Sequence, residues 1–160
     1  MVTLFGSKTV VLVAVLFAIG FEVACLFARF VLKKKSTQNT GFIGKCTCGL
    51  RIHHGYVGVL LVLVRNLFPM TLVPMVGSYL GTWAELAAGI GWGCIISDGI
   101  HHFWVLWPLT GSHDFDLVYP VHSFPTLKEL EEKWRASKTF GWVGVVVTFV
   151  LLVGFLAVPR

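Results

Sequence analysis

Charge is what this chain has least of. Aspartate, glutamate, lysine and arginine make up 13% of the sequence against 56% hydrophobic residues, and only eight side chains are acidic. So sparse a charge does not clothe a soluble domain, and a mean hydropathy of +0.79 points the same way. The composition is that of an integral membrane protein. Common catalytic signatures are missing too. There is no H-E-x-x-H, no G-x-S-x-G, no phosphate-binding G-x-x-x-x-G-K-[ST] and no dinucleotide fingerprint, so those routes to an activity are excluded. Cysteines number only four. Cys25 and Cys94 sit in apolar runs, and Cys46 and Cys48 form a C-x-C too tightly spaced for a good disulfide, so no secreted disulfide framework is expected. The net charge of +5 does not signal nucleic acid, because the basic residues flank apolar runs, where membrane topology accounts for them.

What the chain does have is apolar segments long enough to matter. The expected fold is all-α: one membrane domain over residues 1–160, a four-span transmembrane helical bundle with spans at about 9–32, 55–76, 79–97 and 140–158, each near the length that crosses a bilayer. The first run lacks a clear small-residue cleavage site and reads as a retained span, not a signal peptide. Arg65, Asn66, Pro69 and Pro74 interrupt the second and predict a kink or an unwound half. The third is rich in glycine and alanine ("GTWAELAAGIGWG"), which suits close helix approach and places it at the bundle centre. Between spans three and four, "HFWVLWPL" is expected at the interface, with Trp104 and Trp107 at headgroup level. The sequence "TLKELEEKW" after Pro125 carries the capping-box pair Thr126 and Glu129 of a short amphipathic or interfacial helix. The loops at 33–54 and 98–139 hold Lys33, Lys34, Lys35, Lys45, Arg51, Lys128, Lys133, Arg135 and Lys138, whereas the other side keeps Lys8 and Arg160. That bias predicts a multi-pass cell-membrane protein with both loops cytoplasmic and both termini outside.

Histidine is concentrated at two places. His53 and His54 precede the second span; Asp98, His101 and His102 follow the third, and His113, Asp114 and Asp116 come soon after. The second and third spans are joined by a short connection, so they should be antiparallel neighbours that bring both clusters to one membrane face. On a continuing helix Asp98, His101 and His102 share a side at i, i+3 and i+4. Imidazole and carboxylate are the usual donors to zinc or non-haem iron. The expected metal ligands are therefore drawn from His53, His54, Asp98, His101, His102 and His113, with zinc or iron as the cofactor and with Asp114 and Asp116 as candidates for catalytic proton transfer from the loop. A hydrogen-bonded polar cluster without metal is the plain alternative.

Three further charges, Glu22, Arg65 and Glu85, fall inside spans, where an ionised group is costly and wants a partner. Their distances from the span ends put them at one depth, so an Arg65–Glu85 bridge with Glu22 nearby is expected, either as a packing brace or as a polar track. Three functions are open to such a chain. One is a metal-dependent hydrolase or oxidoreductase acting on a lipid or other amphiphile at the cytoplasmic face. Another is a non-catalytic small subunit of a larger membrane complex. The third is an oligomeric transporter that uses the Glu22, Arg65 and Glu85 layer. The expected partners are the lipid bilayer, a lipid-like substrate and either further copies of the chain or partner membrane subunits.

Overall fold

The computed structural model describes residues 7–33, 46–47, 49–67, 77–112, 114–115, 129, 132–133 and 137–157, with the backbone alone at 67 and 77–82. These residues build helices and no sheet. Helix α1 (Lys8–Leu26) begins at Ser7, whose Oγ accepts a hydrogen bond from the Val10 N–H. It runs on into a π-helical stretch, Phe27–Val31. Helix α2 is His54–Leu67. Helix α3 (Gly77–Gly99) continues without a break through a π-helical stretch, Ile100–Leu106, into α4 (Trp107–Thr110). Gly111 ends this long rod in the left-handed conformation, φ 72°, with its N–H bonded to the Trp107 carbonyl at 2.9 Å, a helix stop that glycine permits without strain. Helix α5 (Lys138–Leu156) is capped by Ser137, whose Oγ accepts from the Phe140 N–H.

Helix α3 is the axle of the bundle: α1 and α2 pack along it, and α5 packs against it and its π-helical continuation. The contacts fix the directions. Val10 and Ala14 lie against Gly89 and Gly93, and Glu22 lies against His101, so α1 runs parallel to α3 at constant register. Gly58 meets Cys94 and the Gly91 carbonyl while Gly55 meets Asp98, and Gly144 meets Phe103 while Thr148 meets Gly99. Helices α2 and α5 therefore run antiparallel to α3. The core is small and apolar, with Val10, Ala14, Val62, Ala88, Trp92, Ile96 and Phe155 buried together. The backbones of α2 and α3 approach closely at Gly58 and Gly91: a side chain at either position would run into the other's backbone carbonyl. Two helices pack this tightly only where both offer glycine.

Lys8–Val31 and Lys138–Leu156 are long and apolar enough to cross a membrane. Their outward faces are covered with exposed Leu, Val, Ile and Phe side chains, among them Leu12, Leu16, Ile19, Val146 and Val150. The third expected span differs from the structure at its end. It does not stop at Ser97; the helix carries on for another three turns, and "HFWVLWPL" is part of that rod, not a separate interfacial piece. The i→i+5 winding of Ile100–Leu106, closed by the Trp107 N–H on the His102 carbonyl, lets the chain continue past residues that read as a span end and reach Pro108 at the start of α4, where a missing N–H is tolerated. Of the polar segment expected as a short helix, Glu129, Glu132 and Lys133 are described. They are helical, with a Lys133–Glu129 ion pair of 2.9 Å at i, i+4.

Candidate metal centre

Two helices meeting head to tail create the site. His53 precedes α2, and His54 opens it; Asp98 ends the regular winding of α3, and His101 and His102 follow in its π-helical continuation. The antiparallel pairing of α2 and α3 brings the two histidine pairs together. His53 Nδ1 and His102 Nε2 each stand 3.7 Å from Asp98 Oδ1, and His54 Nδ1 stands 3.1 Å from the same oxygen. His53, Asp98 and His102 are all buried, and one ligand atom from each lies within 4.8 Å of the others. Gly55 is what admits the carboxylate: a β-carbon there would fall 2.7 Å from Asp98 Oδ2.

The chemistry of this donor set fits a metal ion. Asp98 Oδ1 is buried and has no hydrogen-bond partner, although three imidazole nitrogens surround it. A buried acceptor in that condition costs stability unless a cation answers it. Donor atoms about 2.0–2.1 Å from a tetrahedral ion stand roughly 3.3–3.4 Å from one another; His53 and His102 stand 3.7 Å from Asp98 Oδ1, so a small inward movement of the rings would bring the set to that spacing. The orientation of His54 adds to this. Its Nε2 lies 3.1 Å from Ser97 Oγ, and the Ser97 hydroxyl donates to the Cys94 carbonyl at 3.3 Å. With its proton so used, Ser97 accepts from Nε2–H, and Nδ1 is left facing Asp98 Oδ1 at 3.1 Å, as a bare lone pair when the ring is neutral. Two lone pairs face to face call for a proton or a metal ion between them.

His101 does not join its neighbour. Its Nδ1 lies 3.0 Å from Glu22 Oε1, its ring stands edge-on to that of His102 at 5.3 Å, and Glu22 Oε2 is buried without a hydrogen-bond partner. Adjacent residues of a helix point to different sides, so the pair divides between Asp98 and α1. Phe115 roofs the cluster: it stacks on His53 with centroids 4.3 Å apart and meets His102 edge-on at 5.2 Å. Asp114 holds that roof down. Its carboxylate takes Arg29 at 2.6 Å and the Ser112 hydroxyl at 2.8 Å, and its carbonyl accepts from Arg51 at 3.4 Å. Asp114 adopts φ 47°, a left-handed conformation that aspartate tolerates better than most residues.

The depth of the cluster is a finding in itself. By the α1–α3 register, Asp98 is level with Ile19, near the middle of Lys8–Val31, and on the other side it is level with Thr148, near the middle of Lys138–Leu156. The sequence reading set these residues at a membrane mouth because the third span was ended at Ser97. The continuing helix puts them about halfway along the two apolar helices instead. Glu22 shares that level through His101. Glu85 lies sixteen residues before His101 on one rod, about 24 Å away at the helical rise, so the two do not share a layer. The guanidinium of Arg65 bonds the neighbouring Asn66 Oδ1 at 3.2 Å, and among the described residues no ion pair joins Arg65 to Glu85. His113 and Asp116 lie outside the described residues, as does Cys48; Cys46 is exposed and Cys25 and Cys94 are free thiols.

Sequence reasoning did not single out Ser97, Tyr56, Phe115, Arg29 or Arg51. Tyr56 and Phe115 could have been flagged as aromatic neighbours of the histidine and aspartate clusters, since an aromatic roof is a common way to exclude water from such a site. The Arg29 and Arg51 contacts are tertiary and have no local signal. Comparison of the chain with known family models, with curated proteins and with solved structures gives no match, so the reading of this centre rests on its own geometry.

Proposed function

We propose that His53, Asp98 and His102 bind one divalent transition metal, zinc or iron, with His54 as a further donor, and that the chain is a membrane-embedded metalloenzyme, a hydrolase or oxidoreductase whose substrate is a lipid or other amphiphile. The observation that carries this reading is the single buried Asp98 oxygen, without a hydrogen-bond partner, ringed by imidazole nitrogens from two helices. Two imidazoles and one carboxylate leave coordination positions open on zinc or non-haem iron; with His54 ligated as well, four donors close a tetrahedral zinc site and leave positions only on six-coordinate iron. When bound, the metal supplies either an acidified water or a site for oxygen activation. The protein supplies the rest. Gly55 admits the carboxylate, Ser97 sets the tautomer of His54, Glu22 orients His101 behind His102, and Phe115 covers the rings. Asp114, held by Arg29, serves to close this roof rather than to move protons. Ionisable groups at mid-depth of a membrane are expensive and are kept for function, which favours a catalytic over a purely structural role.

A second reading has its own observation. Trp104, Trp107, Pro108, Trp142 and Val145 line an outward apolar groove of about 470 Å³, and such a surface suits a neighbouring helix of a larger membrane assembly. On this reading the chain is a subunit and its metal is structural. Metal analysis of the detergent-purified protein, paired with turnover of the isolated chain, separates the two. Near-stoichiometric zinc or iron that disappears in a His53→Ala/His102→Ala variant still eluting as a folded species supports the centre. Wild-type protein without metal above background overturns it.

A further inference from the structure

The roof and the ligands leave one side of the cluster uncovered by the described helices. Helices α2 and α5 both flank α3 but hardly touch each other, and between them lies a cleft of about 250 Å³. Its walls are Tyr56 and Val59 from α2 and Val147, Thr148 and Leu151 from α5, and Asp98 lies at its floor. Val59 and Val147 are about half exposed, beside the exposed Val57, Leu60, Val146 and Val150, so the mouth opens sideways on the apolar flank of the bundle and not at its ends. The Thr148 hydroxyl is already spent on the Gly144 carbonyl at 2.7 Å. Among the described residues of the lining, the only charged group is the Asp98 carboxylate.

We infer that this cleft admits the hydrocarbon segment of a bilayer phospholipid acyl chain and lays it against the Asp98 centre, while the headgroup stays outside. The inference rests on the metal reading above and names the part of the substrate that reaches the centre. Three observations converge on that occupant. The mouth faces where lipid chains lie. Apart from the Tyr56 hydroxyl and the spent Thr148 hydroxyl, the walls are apolar. The volume is below the roughly 300–1,000 Å³ of sites for drug-sized ligands, which suits one slender chain and excludes a bulky ring system. Asp98, shared by the cleft lining and the imidazole cluster, joins the inner end to the centre.

The test uses the full chain in phosphatidylcholine vesicles doped with a phosphatidylcholine carrying a diazirine in mid-chain, photolysed and mapped by mass spectrometry, with metal content read on the same sample. Adducts should concentrate on Tyr56, Val59, Val147 and Leu151 over the more exposed flank residues Leu12 and Leu16. Val147→Trp should lower cleft labelling about tenfold at unchanged metal content, and Val59→Trp, which fills the cleft from the other wall, should do the same. Adducts spread in proportion to exposure, or cleft labelling untouched by either tryptophan, overturn the inference. Metal bound with the cleft unlabelled overturns it and spares the centre; the cleft labelled without metal upholds chain entry and overturns the centre.

Discussion

Along one continuous rod, α3 changes character between Cys94 and Asp98. Before that point glycines bring neighbouring backbones together: Gly89 and Gly93 against α1, Gly91 against Gly58 of α2. After it the winding turns partly π-helical, and Asp98 and His102 turn inward beside Phe103 and Leu106. The glycine half stabilises by close van der Waals approach and has little room for chemistry. The π-helical half gives up regular hydrogen bonding and gains a distinct aim for each of two adjacent imidazoles. π-helical turns inside α-helices recur at functional sites for this reason. The comparison teaches that the bundle separates holding together from holding a ligand, and that each can be broken without the other.

The largest effect should follow from removing the shared oxygen. Asp98→Ala takes away the atom on which His53, His54 and His102 converge, and bound metal should fall to background while the helical circular dichroism persists. Next comes the glycine half. Gly91→Leu should cost about 1–3 kcal/mol of stability by overpacking against Gly58 and Val62, seen as a lower thermal midpoint in detergent, with metal per folded molecule retained. Glu22→Gln tests the link between α1 and the π-helical half. It leaves the His101 contact neutral in charge and, because His101 stands outside the donor set, should cost about 1 kcal/mol of stability, seen as a lower thermal midpoint, with metal content retained. The smallest effect is expected at Arg65. Its guanidinium bonds only the next residue among the described contacts, so Arg65→Met should change stability by no more than about 0.5 kcal/mol and leave metal content alone. A large loss there would show that the two halves are coupled.

How much of this could be read beforehand differs by residue. The meeting of His53 and His54 with Asp98 and His102 follows from a short connection between two apolar segments, a constraint visible in the sequence. The depth of the meeting does not. Asp98 and two histidines look like the end of a span because hydropathy scores each residue as though it faced lipid alone, and it has no means to see that Gly55 opens space for the carboxylate or that the imidazoles answer it. The π-helical winding of Ile100–Leu106 leaves no periodic mark over so few residues. The Glu22–His101 pair joins positions 79 residues apart through the parallel packing of α1 on α3, which only the folded bundle specifies. The division of labour within each HH pair was legible in part, since neighbours on a helix diverge, and His101 and His102 do so.

The most direct test of the centre is X-ray absorption at the metal edge on protein purified without added metal. The account predicts about one zinc or iron per chain with nitrogen and oxygen scatterers at about 2.0–2.2 Å, the multiple-scattering pattern of imidazole, and no sulfur. A chain without metal, or a shell containing sulfur at about 2.3 Å that points to the cysteines instead, would contradict it.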